Sequence, residues 1–133
     1  MEAVIAVDTN VIIRIIVNDD RSQVGRALAL IAQRDVLVTT TVVLEVAWVL
    51  DSTYGLSRNR LAGSLRGFLG LPGITVEEPE RVERALVLYE ADHDFADAMH
   101  ATGLPEQAGF ATFDRKLVRK ISVSMPELEI VQL

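Results

Sequence analysis

The sequence predicts an α/β protein built on a mostly parallel sheet with helices on both faces. Three observations carry that expectation. Short apolar runs rich in β-branched residues recur along the chain, and segments with helical spacing of apolar residues lie between them. Gly, Pro, Ser, Thr and Asp stand at the joints, where helices and turns begin and end. No linker, repeat or low-complexity tract breaks the alternation, so residues 1–133 read as a single domain. Strands that alternate with helices pair in parallel, because each crossover returns the chain to the same end of the sheet.

Residues 3–7 are short, continuous and apolar, as a strand buried on both faces requires. Residues 9–17 turn into a short helix. Ser22 caps a second helix over 23–34, with Val24, Ala27, Leu28 and Ile31 on its inner face. Residues 36–38 form the second strand. Thr40 or Thr41 caps a long helix that runs to about Tyr54 and stops at Gly55. Ser57 caps a helix over 58–69, and Gly70-Leu71-Pro72-Gly73 is a turn. Residues 74–76 form the third strand. Pro79 opens a helix to about Ala91, a position where its missing N–H costs nothing. Asp94 caps the next helix, 95–102, which ends at Gly103. Residues 109–112 form a fourth strand. A short helix over 115–121 and a last strand at 129–132 complete the chain.

Hydrophobic residues make up 50% of the chain and mean hydropathy is +0.28, apolar-rich for one small domain. A tightly packed core accounts for that excess, and so does a covered subunit or partner interface; both readings stay open. No stretch approaches the ~18 uncharged apolar residues of a membrane span. Arg14 interrupts the first apolar run and Glu45 the second, so no membrane partner is expected. Glu2 and Asp8 stand where a secretory leader carries basic residues, and cysteine is absent. A cytoplasmic location is the expectation. The net charge of -6 argues against a protein that coats duplex nucleic acid, which is ordinarily basic. Any nucleic acid is handled at a local site.

Four acids occupy places that plain solvation explains poorly. Asp8 follows the first apolar run directly. Glu45 lies inside the apolar helix Thr41-Val42-Val43-Leu44-Glu45-Val46-Ala47-Trp48. Asp97 is flanked by Ala96 and Ala98, and Asp114 ends Phe110-Ala111-Thr112-Phe113-Asp114. Asp8 and Asp114 fall just beyond the carboxyl ends of strands, where open parallel sheets bind ligands. Ordinary roles compete for most of them: Asp8 suits a helix cap, as does Asp94 one turn before Asp97, Glu45 suits a hidden salt bridge to an arginine, and Asp114 suits a turn. Taken together they point to a shared cation. Two carboxylates about 4 Å apart repel by roughly 4 kcal/mol at an effective dielectric of 20. Several acids in one place therefore protonate, unfold the site or bind a metal. An all-oxygen set selects Mg²⁺ or Mn²⁺ over zinc. His100 lies one turn after Asp97, near enough to approach the site, but a lone histidine is more often structural; His93 reads as a loop residue. No Ser-His-Asp set, Walker loop or dinucleotide motif is present, so direct attack by water is favoured over a covalent nucleophile. Arg14, Arg58, Arg60, Arg115, Lys116, Arg119 and Lys120 adjoin the acidic motifs. Such charges usually make a solvated helix face; here Arg14 and Arg115 are candidates for a rim that holds a phosphodiester backbone.

The ordered set Val7-Asp8-Thr9-Asn10-Val11, Thr41-Val42-Val43-Leu44-Glu45, Asp94-Phe95-Ala96-Asp97-Ala98-Met99-His100 and Thr112-Phe113-Asp114 resembles the PIN-domain ribonucleases. It looks most like the VapC-type toxins of toxin–antitoxin systems. The likeness spans nearly the whole chain, including Trp48-Val49-Leu50, Tyr54-Gly55 and Leu69-Gly70-Leu71-Pro72-Gly73. It implies a three-layer α/β/α sandwich and a Mg²⁺- or Mn²⁺-dependent endoribonuclease. It also implies a VapB-like antitoxin that covers the groove; a homodimer is expected as well. By motif position, Asp8, Glu45, Asp97 and Asp114 match the family's acidic quartet. Asp94 matches an additional acid with an outer-shell or secondary role, and Asn10 and Thr112 match supporting polar positions.

Two other classes compete. A small Mg²⁺ phosphatase with Asp8 as nucleophile normally carries a second Asp two residues later, where this chain has Asn10. A receiver-like signalling domain needs a phosphoacceptor Asp after its third strand, and Thr75-Val76-Glu77-Glu78-Pro79 supplies none. A non-catalytic PIN scaffold that only binds RNA has the same sequence pattern and is separated from the enzyme by a cleavage assay.

Overall fold

The structure, a computed structural model, describes residues 3–133. The chain forms two compact units, Met1–Pro79 and Glu80–Leu133. In the first, the order is β1 (Ile5–Ala6), α1 (Thr9–Val17), α2 (Arg21–Gln33), β2 (Val36–Val38), α3 (Thr40–Ser52), α4 (Arg58–Leu69) and β3 (Ile74–Val76). The strands pair in parallel in the order β1-β2-β3. Ile5 is level with Val36, and Val36 with Ile74. Ile12, Ile13, Val36, Val38, Val43, Val46, Leu50, Leu61 and Leu65 are fully buried in this unit. Each of the larger side chains contributes about 1.5–3 kcal/mol on leaving water.

The helix boundaries follow the expectation closely, and the caps depart from it twice. The second helix begins at Arg21, and the cap is Asp20, whose Oδ1 accepts from the Gln23 amide at 3.0 Å. Ser22 is already inside the first turn, so its side chain cannot serve as the cap. Val24 and Ala27 of that helix are buried, but Leu28 is exposed, because the packed face is turned toward Ala27. At α3 the residue in the capping position is Thr39, and its side chain makes no capping bond. Glu77, just after β3, takes over. Its Oε1 accepts from the Thr40 amide at 2.9 Å and from the Thr40 hydroxyl at 3.0 Å. Gly55 stops α3 as expected: it has φ +61°, and its amide donates to the Asp51 carbonyl at 3.0 Å.

The second unit contains α5 (from Pro79 to Glu90), α6 (Phe95–Thr102), β4 (Phe110–Thr112), α7 (Arg115–Ser124) and β5 (Ile130–Gln132). The last two strands are parallel, with Phe110 level with Ile130. The α7 helix runs three residues beyond the expected 121, since Leu117, Ile121 and Met125 continue one buried face at four-residue spacing. Tyr89 and Phe95 meet edge to face with ring centroids 5.9 Å apart. His93 lies between α5 and α6, as the sequence places it, but it is buried, with Nε2 2.7 Å from the Ser124 hydroxyl. Arg81 donates to the Met99 carbonyl through Nε at 3.0 Å and Nη2 at 2.7 Å. Its guanidinium occupies the space a side chain at Gly103 would need. The α/β class and the parallel pairing are thus as the sequence predicts.

Candidate acidic site

In the first unit, Asp8 caps α1: its Oδ1 accepts from the Val11 amide at 3.4 Å. The parallel register continues past β1, where the Val7 amide donates to the Leu37 carbonyl at 3.3 Å. Asp8 therefore stands level with Thr39, at the edge where α3 begins. Glu45 is on the second turn of α3 and is solvent-exposed, as are Asp8 and Asn10. The expectation that Glu45 is walled in by apolar neighbours does not hold. Val43, Val46, Ala47 and Leu50 carry the buried stripe of α3, and Glu45 lies on the other side of the helix with Thr41 and Trp48.

Arg14 does not project freely. Its Nη1 is 2.5 Å from Asp19 Oδ1, and Nη2 donates to the Tyr54 hydroxyl at 3.2 Å. The bond to Tyr54, reinforced by Asp19, holds its pKa above the usual arginine value. Beside it, Asn10, Val11, Gln23, Arg26, Ala27 and Leu30 complete a cavity of about 330 Å³ against α1 and α2.

In the second unit three acids stand at helix starts, Asp94 and Asp97 at α6 and Asp114 at α7. Asp94 caps α6, its Oδ2 accepting from the Asp97 amide at 3.0 Å. Asp114 caps α7, its Oδ1 accepting from the Leu117 amide at 3.0 Å. Thr112 supports it, the hydroxyl accepting from the Asp114 amide at 3.0 Å. Asp97 is half-buried on the first turn of α6. The positive end of a helix normally favours a carboxylate. Here burial comes first, and the charges of Asp94 and then Asp114 add to it, so the Asp97 carboxyl is pushed above the ordinary range. His100 and His93 oppose that shift and lose. The exposed Arg115 follows at once, whereas Lys120 is tied to Asp92 through its carbonyl at 2.6 Å and its carboxylate at 3.0 Å.

The donor chemistry fits a hard divalent cation. Asp94 and Asp114 each spend one carboxylate oxygen on a backbone amide and keep the other. Asp97 is held where neutralisation is favourable. Among the described residues, no three acids or histidines are drawn close enough to enclose a metal ion. A cation shared by these carboxylates would therefore draw them together against their repulsion.

Parallel strands here lead to helix-capping carboxylates at Asp8 and Asp114. The PIN domain family model matches residues 5–121, so the chain belongs to the PIN domain family. These are nuclease-like domains, which places the chain among hydrolases in general, typically dependent on divalent metal and associated with RNA. No curated protein and no solved structure matches the chain. Among the described residues, no helix is long and apolar enough to cross a membrane.

Proposed function

We propose that the chain, as one domain over residues 1–133, is a Mg²⁺- or Mn²⁺-dependent endoribonuclease of the VapC toxin type, neutralised in the cytoplasm by a VapB-like antitoxin. The observation that carries the reading is the acidic trio of the second unit, with Asp97 half-buried under the charges of Asp94 and Asp114. Asp8, Glu45, Asp97 and Asp114 are assigned as the ligands of the cation, and Asp94 as the outer acid. Such a cation supplies charge neutralisation at the phosphate and makes water easier to deprotonate. Asp114 is fixed for its part by Thr112 and by its cap bond, so its free oxygen is oriented before any ligand arrives. Asp8 is fixed likewise by α1. Arg115 is assigned to the substrate rim. Exposed apolar residues such as Trp48 and the cavity beside Arg14 support a protein partner and a homodimer.

The test is cleavage of single-stranded RNA with Mg²⁺, with Mn²⁺ and with chelator. The parent is expected to cleave only with the cation. Asp8→Asn and Asp97→Asn are expected to remain folded and lose at least about a hundredfold in rate, within the range of a removed charge-stabilising group. Binding of RNA without cleavage under every cation condition would leave a non-catalytic PIN scaffold and defeat the enzyme reading.

A further inference from the structure

Phe113 is 79% exposed, an unusual position for a phenylalanine. It sits between Thr112 and Asp114, immediately before the helix cap of α7. A hydrophobic residue at that position commonly folds back on the fourth helical residue to pin the helix start. That residue is Val118, and a ring so exposed is not packed against it. Most of the ring is thus left in water by the local fold.

The backbone that carries it is held on both sides. The Thr112 carbonyl accepts from the Leu133 amide at 2.9 Å, the Thr112 hydroxyl accepts from the Asp114 amide, and Asp114 caps α7. Beyond it, Arg115, Lys116 and Arg119 are exposed. Four of the chain's 13 lysines and arginines fall in residues 115–120, a local reversal of charge in a protein of net charge -6. An aromatic face beside a basic stretch is the combination that binds single-stranded nucleic acid, the ring taking a base and the cations its phosphates. An apolar protein surface would gain nothing from those cations.

We infer that Phe113 is a stacking platform for one unpaired base of a single-stranded RNA, with Arg115, Lys116 and Arg119 holding the adjoining phosphates. This rests on the ribonuclease reading, which it deepens. Phe113 adjoins Asp114 in sequence, so the stacked base belongs to a nucleotide close to the phosphate that is cut. Phe113 is a positioning residue: it sets which nucleotide lies in the site and takes no part in bond breaking. A preformed platform costs little ordering on binding. Any π face suits it, so the ring gives register along the strand more than base identity.

The experiment compares the parent with Phe113→Leu, Phe113→Ala and Phe113→Trp. The probe is a short mixed-sequence single-stranded RNA carrying fluorescein for anisotropy, and a second copy carrying 2-aminopurine for stacking. Phe113→Leu and Phe113→Ala are expected to weaken binding about tenfold. They should raise KM with kcat nearly unchanged and abolish the 2-aminopurine quench. Phe113→Trp is expected to keep all three. Leucine retains the apolar surface and loses the π face. Parent-like RNA binding by Phe113→Leu, alongside a parent that cleaves RNA, would overturn the platform and leave the enzyme standing. A change of oligomeric state in Phe113→Ala with unchanged RNA affinity would overturn it in favour of a protein contact. A parent that neither binds nor cleaves RNA overturns both readings.

Discussion

At the scale of single residues, Asp97 sets stability against the proposed function. Its folded-state pKa is raised by burial, then by Asp94 and Asp114. The folded protein thus holds this proton more tightly than the unfolded chain does. By linkage, the stabilising effect is present at pH below the ordinary aspartate value of 3.8. It is lost as pH rises through the raised value, so at neutral pH the charge weighs against the fold. Asp97→Asn is therefore expected to raise Tm at pH 7 while abolishing cleavage, and to flatten the dependence of Tm on pH just above 3.8. Added Mg²⁺ should raise the parent's Tm and affect the variant's less. Thermal unfolding across pH, with and without the cation, checks this; a lower Tm for the variant at pH 7 would reject the electrostatic account. Arg14 shows what a sequence conceals at the same scale. Asp19 is visible nearby, but the bond to Tyr54 spans 40 residues. Arg14→Ala is now expected to lower Tm, and Arg115→Ala to raise the KM for RNA with Tm unchanged. The reverse pattern in paired unfolding and cleavage measurements would restore Arg14 to the rim and remove Arg115 from it.

At the scale of elements, capping and the proposed function fall on the same side chains. Asp8, Asp94 and Asp114 each accept one backbone amide at a helix start. A carboxylate that caps still has an oxygen for other work, so the ordinary reading and the functional one coexist. The two are separable by substitution. Asn caps about as well as Asp, whereas Ala costs about 1 kcal/mol. At Asp8 and Asp114, Asn variants should keep parent stability and lose activity, and Ala variants should lose both. Equal loss of stability in the Asn and Ala variants, measured by denaturant unfolding, would show that the charge and not the cap sustains the helix. Local signals made these elements legible: β-branched runs for the strands, Gly55 and Gly103 at helix ends, Pro79 at a helix start, Ser57 and Asp94 as caps. The cap of α3 was not legible, because Glu77 lies 37 residues from Thr40 and only the sheet brings them together. The exposure of Glu45 is hidden from the sequence for a related reason. Its immediate neighbours are apolar, but burial follows the helix face, and its face points to water.

At the scale of the whole molecule, the apolar excess is partly on the surface. In the first unit Val4, Leu28, Trp48 and Leu71 are exposed, and in the second Val87, Phe113, Val123, Val131 and Leu133. Composition showed the excess but could not say how much lay outside the core, since that depends on which stripe of each helix packs. Trp48 is the largest of these side chains and is 65% exposed. It shares the exposed face of α3 with Thr41 and Glu45. A buried Trp removes 150–250 Å² of surface from water, roughly, and tryptophan is among the residues that dominate binding energy at interfaces. The proposed homodimer therefore has a defined test at this residue. Light scattering at micromolar concentration should show the parent larger than a monomer. Trp48→Lys should shift it toward monomer, with a loss of roughly 2 kcal/mol, or about thirtyfold in the dimer dissociation constant. Because the side chain is largely solvated within one chain, the substitution should leave the unfolding of the isolated monomer nearly unchanged. A parent that stays monomeric at high micromolar concentration would remove the dimer. A dimeric Trp48→Lys variant with parent affinity would move the interface off this face of α3, and would leave Trp48 beside Glu45 as a contact for the antitoxin.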